Sequence, residues 1–489
     1  MTSPMDRGQK NGGEIVTLPT TPRIVDIQRR AAIVLLCLCA GLAFGAQADA
    51  QTNTTTKASA KKKPVKKAKK PARRKVREPS VHHYAAPRVS EKMRALSLQK
   101  VALQLDERPD PVIDRPGNLV PFFERLYRLS TRDSPTMHIL HFGDSHTASD
   151  DWTGVLRDLF QGRFGNGGAG FSLAGIPFKG YRRFDVRGGA SKAWDPAGLR
   201  TGEGDGLFGL GGVSVSTERA AQTIYLDADC ASVELDYLQQ PGGGRLALSD
   251  NGATVAESST EGPLAPGFLE YAAAPGRHRF EVRTLEAAPV RLFGWVTENP
   301  KGITYESMGI NGAEAALIQR WDETMHAAYL KRRDPALIVL AYGTNEASDS
   351  KWTEAGYLEA FSAVLQRLRR AVPAASILVL GPPDRFLRVK GRWRPFDGVD
   401  RIVAAQQEAC RQNRCAYWNT RARMGAEGSM VNWVMAGLAQ GDYAHFTSQG
   451  YQRLASVLFQ DIMRQYESYL KVRPELATQA TDEPSSQDH

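Results

Sequence analysis

The sequence predicts an α/β fold built on a parallel sheet, interrupted by an inserted antiparallel β-domain. Predicted strands and helices alternate in two separate stretches of the chain, before residue 184 and after residue 300. This alternation is typical of a parallel sheet covered by helices on both faces. Between the two stretches the chain is rich in glycine and in short segments of alternating polarity, which is typical of antiparallel strands.

The first α/β stretch covers residues 85–184. Residues 85–135 have roughly helical spacing of apolar residues, and Met137 to Phe142 form a β-rich run that ends at Gly143-Asp144-Ser145. A helix is predicted from Ala148 to Phe164. The order is therefore strand, tight turn and helix.

The second α/β stretch covers residues 300–472. Its predicted elements are strands at 337–341, 376–380 and 415–418, and helices at 357–371, 399–411 and 448–469. The first two strands end in glycine-containing turns. Because ligands of such sheets bind at the carboxyl ends of the strands, we expect the functional residues there.

Residues 185–299 are predicted to form the inserted β-domain. Candidate strands include 222–226, 232–237, 245–248, 279–283 and 290–295, separated by turn clusters such as Pro241–Gly244 and Asp250–Gly252. Their length and spacing favour an antiparallel sandwich.

Residues 1–50 are predicted to direct export. Residues 31–48 are uncharged, follow Arg29-Arg30 and end in small-x-small patterns, as in a signal peptide. The alternatives are an uncleaved inner-membrane anchor or a start codon placed too early. Each places the body outside the cytoplasm, in the periplasm or cell envelope.

The net charge of +10 arises in a short segment. Residues 51–78 hold twelve Lys and Arg and one acid, so the body that follows is close to neutral. This excludes a nucleic-acid-binding body. We interpret residues 51–84 as a disordered tether that either contacts anionic membrane or wall polymer or is a solvated spacer. Residues 473–489 are polar and are predicted to be a disordered tail.

The cysteines favour neither a metal site nor a cofactor. Cys410 and Cys415 are spaced for a disulfide in an oxidising compartment, which would leave Cys230 as a buried thiol. No Cys or His spacing matches a zinc site, so we predict no metal and no cofactor.

Ser145 and His445 are the candidate nucleophile and base. A serine hydroxyl needs a neighbouring base and a group that orients this base. Asp442 precedes His445 by three residues, so its carboxylate can bind Nδ1 and leave Nε2 to accept from Ser145. Taken alone, this pattern is more typical of a surface aspartate and a capping histidine.

Candidate donors for a developing oxyanion follow other strands. Asn345, in the segment Gly343 to Glu346, has a side-chain amide, and Gly312 has an accessible backbone N–H. The N–H of Ser145 would be the third donor. Each segment alone is also an ordinary turn. Glycosidic cleavage would need two catalytic carboxylates, and we interpret the nearest candidates, Glu346 and Asp384, as residues with a local structural role instead.

Taken together, these segments resemble the four sequence blocks of the SGNH/GDSL hydrolase family. The blocks are Gly143 to Ser145, Gly309 to Gly312, Gly343 to Asn345 and Asp442 to His445, and the resemblance covers residues 137–183 and 300–470. It implies a three-layer α/β/α sandwich. It also implies roles: Ser145 as nucleophile, His445 as base, Asp442 as its orienting group, Gly312 and Asn345 as oxyanion donors, and Asp144, His146 and Gly343 as supporting residues.

One position departs from the family pattern. His146 follows the serine, where the name-giving motif has leucine. This side chain either tunes the site or caps the following helix, and we favour the cap.

Within the family, the chain looks most like peptidoglycan O-acetylesterases. Those carry a jelly-roll-like β-sandwich, similar to carbohydrate-binding modules, between the serine and glycine blocks. The resemblance implies hydrolysis of O-acetyl esters on acetylated peptidoglycan or another envelope glycan. The alternatives are an O-acetyltransferase, a general esterase or lipase, and a non-catalytic glycan-binding protein.

Overall fold

The structure is a computed structural model that describes residues 84–132, 134–199 and 203–482. The predicted signal segment and all but the last residue of the predicted tether lie outside this part of the chain. Within it, no helix is both long and apolar enough to span a membrane.

The described helices surround a parallel sheet. In chain order they are α1 (Glu91–Asp106), α2 (Val120–Thr131), α3 (Ser145–Ala148), α4 (Thr153–Phe164), α5 (Glu323–Arg333), α6 (Thr344–Ser348), α7 (Glu354–Ala371), α8 (Gly398–Gln412), α9 (Thr420–Arg423), α10 (Met430–Met435) and α11 (Ser448–Asp482). The last helix continues past Tyr469, where the sequence predicts its end, and residues 473–482 of the predicted tail are helical.

Five strands form the parallel sheet, in the order β11-β1-β12-β13-β16. Their bounds are Met137–Gly143 for β1, Ile303–Gly309 for β11, Leu337–Ala341 for β12, Ser376–Leu380 for β13 and Ala416–Trp418 for β16. In register, Gly143 lies opposite both Gly309 and Ala341. The carboxyl ends of three neighbouring strands therefore meet at one edge of the sheet.

Each face of this sheet has its own apolar core. Along β12, Ile338 and Leu340 contribute to the core on one face, and Leu337 and Val339 contribute to the core on the other. Side chains of a strand alternate between faces, so a strand covered on both sides is apolar throughout. The predicted α/β fold with a parallel sheet is confirmed.

A nine-stranded antiparallel sheet accounts for the β-domain. Its strands are β2 (Gly170–Leu173), β3 (Arg187–Ala190), β4 (Asp195–Ala197), β5 (Ser214–Thr217), β6 (Thr223–Gln239), β7 (Arg245–Asp250), β8 (Ala253–Ser259), β9 (Ala265–Thr284) and β10 (Val290–Glu298). Because β2 pairs with β10, the sheet takes in a strand from before residue 185, where the domain is predicted to begin.

The two longest strands join the halves of this sheet. The first half of β6 pairs with β3 and its second half with β10, and the pairing with β9 shifts register between Cys230 and Ser232. Apolar side chains of both halves, such as Ile224 and Trp295, share one core. The prediction of separate strands at 222–226 and 232–237 is therefore wrong, because the chain continues through an irregularity in one strand.

Strand β11 has no clear periodicity in the sequence, although all seven of its residues are buried. Its polar side chains are bonded internally: Thr304 donates to Glu306, and Glu306 forms an ion pair with Arg333 of α5. Hydrogen bonding and ion pairing of this kind let polar residues occupy a fully buried strand that apolar patterning does not predict.

The three cysteines of the described region are free. Cys230, Cys410 and Cys415 are all buried, and no disulfide joins Cys410 to Cys415. Burial raises the pKa of the Cys230 thiol to about 11. The disulfide considered from the sequence is thus not formed, and Cys230 is a buried thiol as expected.

The predicted helix from Ala148 to Phe164 is broken at Asp150, which has a left-handed φ of 58°. The buried carboxylate of Asp150 accepts hydrogen bonds from Thr153, from the guanidinium of Arg157 and from the N–H of Phe184. These bonds connect α3, α4 and the loop before β3. One carboxylate therefore stabilises the chain immediately after the serine block.

We expect Arg157→Met to lower the free energy of unfolding by about 3–5 kcal/mol, because Asp150 would stay buried without its partner. Unfolding by urea, followed by tryptophan fluorescence, measures this loss. Arg163→Met removes a more exposed arginine from the same helix and should cost at most about 1 kcal/mol. Equal effects of the two substitutions would contradict this account.

Candidate active site

Ser145 is the first residue of α3, directly after the turn that ends β1, and is partly exposed. Asp144 caps α3, since its Oδ1 accepts the N–H of His146 at 2.9 Å. At Gly309, opposite this turn, an added Cβ would lie 2.2 Å from the backbone nitrogen of Ala148. Only glycine fits there, and its absence of a side chain lets α3 pack against the end of β11.

A continuous chain of hydrogen bonds joins Ser145, His445 and Asp442. The Oγ of Ser145 lies 2.9 Å from Nε2 of His445, and Nδ1 of His445 lies 2.6 Å from Oδ2 of Asp442. The other oxygen of Asp442 accepts the N–H groups of Ala444 and His445, each at 3.1 Å. The structure thus brings together three residues that the sequence places up to 300 positions apart.

The charge of Asp442 is stabilised despite its burial. Burial acts to raise the pKa of this carboxyl, but the hydrogen bonds from the ring and N–H of His445 and from the N–H of Ala444 outweigh it, and the pKa is lowered. A carboxylate in this position orients the imidazole through Nδ1 and leaves Nε2 facing Ser145.

Two backbone N–H groups lie on the segments that follow the adjacent strands β1 and β11. Neither the N–H of Ser145 nor that of Gly312 donates to an acceptor within the described part of the chain. Gly312 has a left-handed φ of 76°, and no atom lies within 4 Å of where its Cβ would be. Both groups are therefore available to donate to an oxygen of a bound substrate.

The side chain of Asn345 lies beside these groups. Its Nδ2 donates to the carbonyl of Ala313 at 2.9 Å and lies 3.5 Å from Oδ2 of Asp144. The contact with Asp144 is at the long limit of a hydrogen bond, so the second N–H of the Asn345 amide is available to another acceptor. The three predicted oxyanion donors thus lie on loops that follow three adjacent strands.

Glu346 connects two of these loops. Its buried carboxyl accepts the N–H of Ala315 through one oxygen and the N–H of Gly343 through the other, at 2.8 and 2.9 Å. Burial raises its pKa to about 8. The sequence suggests only local structure for this residue, whereas its bonds reach the segment that follows Gly312.

Asp144 is a second buried carboxyl with a raised pKa. Burial is the main cause and brings the value to about 6, although the N–H of His146 and the charge of His445 act in the opposite direction. Asp144 and Glu346 therefore hold their protons more readily than Asp442 does.

The helix-cap role favoured for His146 is wrong. Its ring is buried, its Nδ1 lies 2.7 Å from the hydroxyl of Tyr451, and it stacks on the ring of His445 with centroids 5.0 Å apart. Burial, followed by the charge of His445, holds its pKa well below the usual value. The neutral ring of His146 therefore packs against one face of the His445 imidazole.

Two contributors have no signal in a single sequence. Tyr451 of α11 positions His146, and the guanidinium of Arg385 donates to the carbonyl of Thr344 and the hydroxyl of Ser348, both at 2.6 Å. Their roles depend on packing between distant segments. Within residues 84–132, 134–199 and 203–482, no group of three His, Cys, Asp or Glu is placed to hold a metal ion.

A family model matches the part of the chain that follows the serine block. A model of the GDSL-like lipase/acylhydrolase family matches residues 258–453, a range that includes Gly312, Asn345, Asp442 and His445 and begins after Ser145. Among curated proteins, no match is found.

Among solved structures, a peptidoglycan O-acetylesterase is 28% identical, with a TM-score of 0.64, over 73% of this chain and 99% of that one. Family two carbohydrate esterases from Cellvibrio japonicus and Clostridium thermocellum are each 13% identical, with TM-scores of 0.26. These matches cover 58% and 52% of this chain, and 98% and 94% of the others. TM-scores this low support no conclusion about the function of this chain.

Glu346→Gln should change how stability depends on pH. Between pH 4.5 and about 8 the folded protein keeps the proton of Glu346 while the unfolded chain releases it, so this group stabilises the fold less as pH rises. The free energy of unfolding of the wild type minus that of the variant should therefore fall across this range. Urea unfolding at several pH values measures this difference, with Glu257→Gln, an exposed residue, as control. A difference independent of pH would contradict the raised pKa.

Proposed function

Since this chain is a hydrolase with a GDSL-like lipase/acylhydrolase domain, we propose that it is a serine esterase that removes O-acetyl groups from cell-wall glycan. The observation that carries the proposal is the unbroken hydrogen-bond chain from Ser145 through His445 to Asp442, with free N–H donors beside the serine. Such a site can form and hydrolyse an acyl-enzyme.

In the first half of the reaction, Nε2 of His445 takes the proton of Ser145 as Oγ attacks the acetyl carbonyl. The resulting oxyanion accepts hydrogen bonds from the N–H groups of Ser145 and Gly312 and from the amide of Asn345. Asp442 stabilises the imidazolium that forms. His445 then protonates the departing sugar oxygen, which leaves the acetyl group on Ser145.

In the second half, His445 takes a proton from water, and the water oxygen attacks the acyl-enzyme. The bond to Ser145 Oγ then breaks, acetate leaves, and His445 returns the proton to Oγ. The stacked ring of His146 suits this cycle, because a neutral neighbour does not oppose the protonation of His445. Transfer of the acetyl group to a sugar hydroxyl instead of water would make the same site an acetyltransferase.

Acetylated peptidoglycan is the proposed substrate because the similar esterase acts on it and matches along 99% of its length. We also propose that the enzyme works in the periplasm or cell envelope. The apolar segment at 31–48 and the basic segment at 51–78 support this location.

The purified enzyme should release acetate from O-acetylated peptidoglycan. Free acetate is assayed over time, and transfer of labelled acetyl groups to unacetylated glycan is measured in parallel. Release without transfer supports the esterase, and transfer without release would replace it by an acetyltransferase. Activity confined to aryl esters of long acyl chains would instead indicate a lipase.

Substitutions in the proposed site should have unequal effects. We expect Ser145→Ala and His445→Ala to lower kcat by about 10⁵-fold or more, and Asp442→Asn and Asn345→Ala by about 10²- to 10⁴-fold. Steady-state kinetics with acetyl esters measures these losses, with Ser456→Ala on α11 as control. Mild and equal losses in all four variants would refute the assigned roles.

A further inference from the structure

A small hairpin projects beside the active site and belongs to neither large sheet. Its strands, β14 (Phe386–Val389) and β15 (Arg392–Pro395), pair only with each other. Lys390 and Gly391 form the two-residue turn, with φ values of 48° and 80°. Two positive φ values are typical of the type I′ turn, whose twist matches that of a hairpin, so this element is short and well defined.

The hairpin is attached, at the end away from its turn, to the loop that carries Asp442 and His445. The N–H of Phe386 donates to the carbonyl of Tyr443 at 3.1 Å, and the rings of Phe386 and Trp393 lie 5.8 and 4.6 Å from that of Tyr443. Tyr443 immediately follows Asp442 and has a strained φ of 57°. The hairpin therefore packs on a backbone position that must be held in place.

A second attachment leads to the loop of Asn345. Arg385, the residue before the hairpin, donates to the carbonyl of Thr344 and to Ser348. One short element thus contacts two of the loops that form the site. Its attached end therefore lies beside the loops that carry Asp442 and Asn345.

The exposed surface of the hairpin is aromatic and cationic. Trp393 is 37% exposed although it packs on Tyr443, and Arg388 lies directly opposite it in the pairing register. Further cationic side chains are Lys390, Arg392 and Arg394, all exposed. Within the described residues these four cations form no ion pair, and the sequence from Arg385 to Pro395 contains no acid.

We propose that this hairpin binds a carboxylate-bearing glycan, with Trp393 against the apolar face of a sugar ring and Arg388, on the same face of the hairpin, towards a carboxylate. Arg392 and Arg394 lie on the opposite face and add to the positive potential around the hairpin. The inference rests on the proposed function and specifies which glycan the site takes. A partly exposed indole offers a flat apolar face, and unpaired exposed cations attract an anionic polymer in a salt-dependent way. Peptidoglycan fits this chemistry, because its peptide stems carry carboxylates.

The first test uses Trp393→Ala with O-acetylated peptidoglycan and 4-nitrophenyl acetate. We expect the ratio of kcat/KM for the glycan to that for the small ester to fall about tenfold, mainly through KM for the glycan, as expected for lost apolar contact area. Trp393→Phe keeps an aromatic face and should retain most of the ratio. An unchanged ratio, including one in which both activities fall equally, would overturn the proposal.

The second test removes charge. A variant combining Arg388→Gln, Arg392→Gln and Arg394→Gln should raise KM for the glycan and weaken its dependence on ionic strength. The matched control combines Arg370→Gln, Arg411→Gln and Lys471→Gln, which removes the same charge from exposed positions on α7, α8 and α11. Glycan whose carboxylates have been amidated should be bound alike by wild type and the hairpin variant. Equal effects of the hairpin and control variants would overturn the charge assignment.

Binding separates this inference from the proposed function. Sedimentation of Ser145→Ala protein with insoluble O-acetylated peptidoglycan measures binding without turnover. If Trp393→Ala abolishes this binding while wild type releases no acetate, the inference holds and the proposed esterase activity fails. If acetate is released but binding does not depend on Trp393 or the arginines, the inference fails and the esterase stands.

Discussion

The active site depends on the register of three parallel strands. Gly143 lies between Gly309 and Ala341, so the loops that follow β11, β1 and β12 leave the sheet side by side. These loops carry Gly312, Ser145 and Asn345. A shift of one residue in either pairing would move a donor away from the serine by about 3 Å, the rise of one strand residue, which exceeds the tolerance of a hydrogen bond. The close fit of α3 against Gly309 holds the serine turn in that register.

Three carboxyl groups near this edge have different environments and so different charges. Asp442 is held ionised by His445 and two N–H groups, whereas burial raises the pKa of Asp144 to about 6 and that of Glu346 to about 8. His445 is therefore in direct contact with one ionised carboxylate, that of Asp442. The carboxyls of Asp144 and Glu346 instead accept hydrogen bonds from backbone N–H groups. Differences in burial and hydrogen bonding therefore give these three carboxyl groups different protonation behaviour.

The remaining elements shape the surroundings of this edge. The β-domain shares an apolar core with the parallel sheet, since Phe171 and Phe293 pack in the same cluster as Phe142 and Leu340. The β14–β15 hairpin lies on the side of His445, attached through Tyr443 and Arg385. The sheet fixes the geometry of the candidate site, and under the proposed function the elements added around it would select the substrate, as in many enzymes built on rigid scaffolds.

Local patterns in the sequence were sufficient for the α/β alternation, for most elements around the sheet and for the short motifs at the strand ends. Apolar periodicity and glycine-containing turns are properties of neighbouring residues, so one chain displays them directly. They could not reveal β11, whose buried Glu306 is paired with the distant Arg333, or the continuity of β6 through its irregularity. The tertiary structure alone decided that His146 stacks on the base, that Glu346 joins two loops and that Trp393 lies beside Tyr443. Each of these depends on residues far apart in sequence, and only packing decides which of them meet.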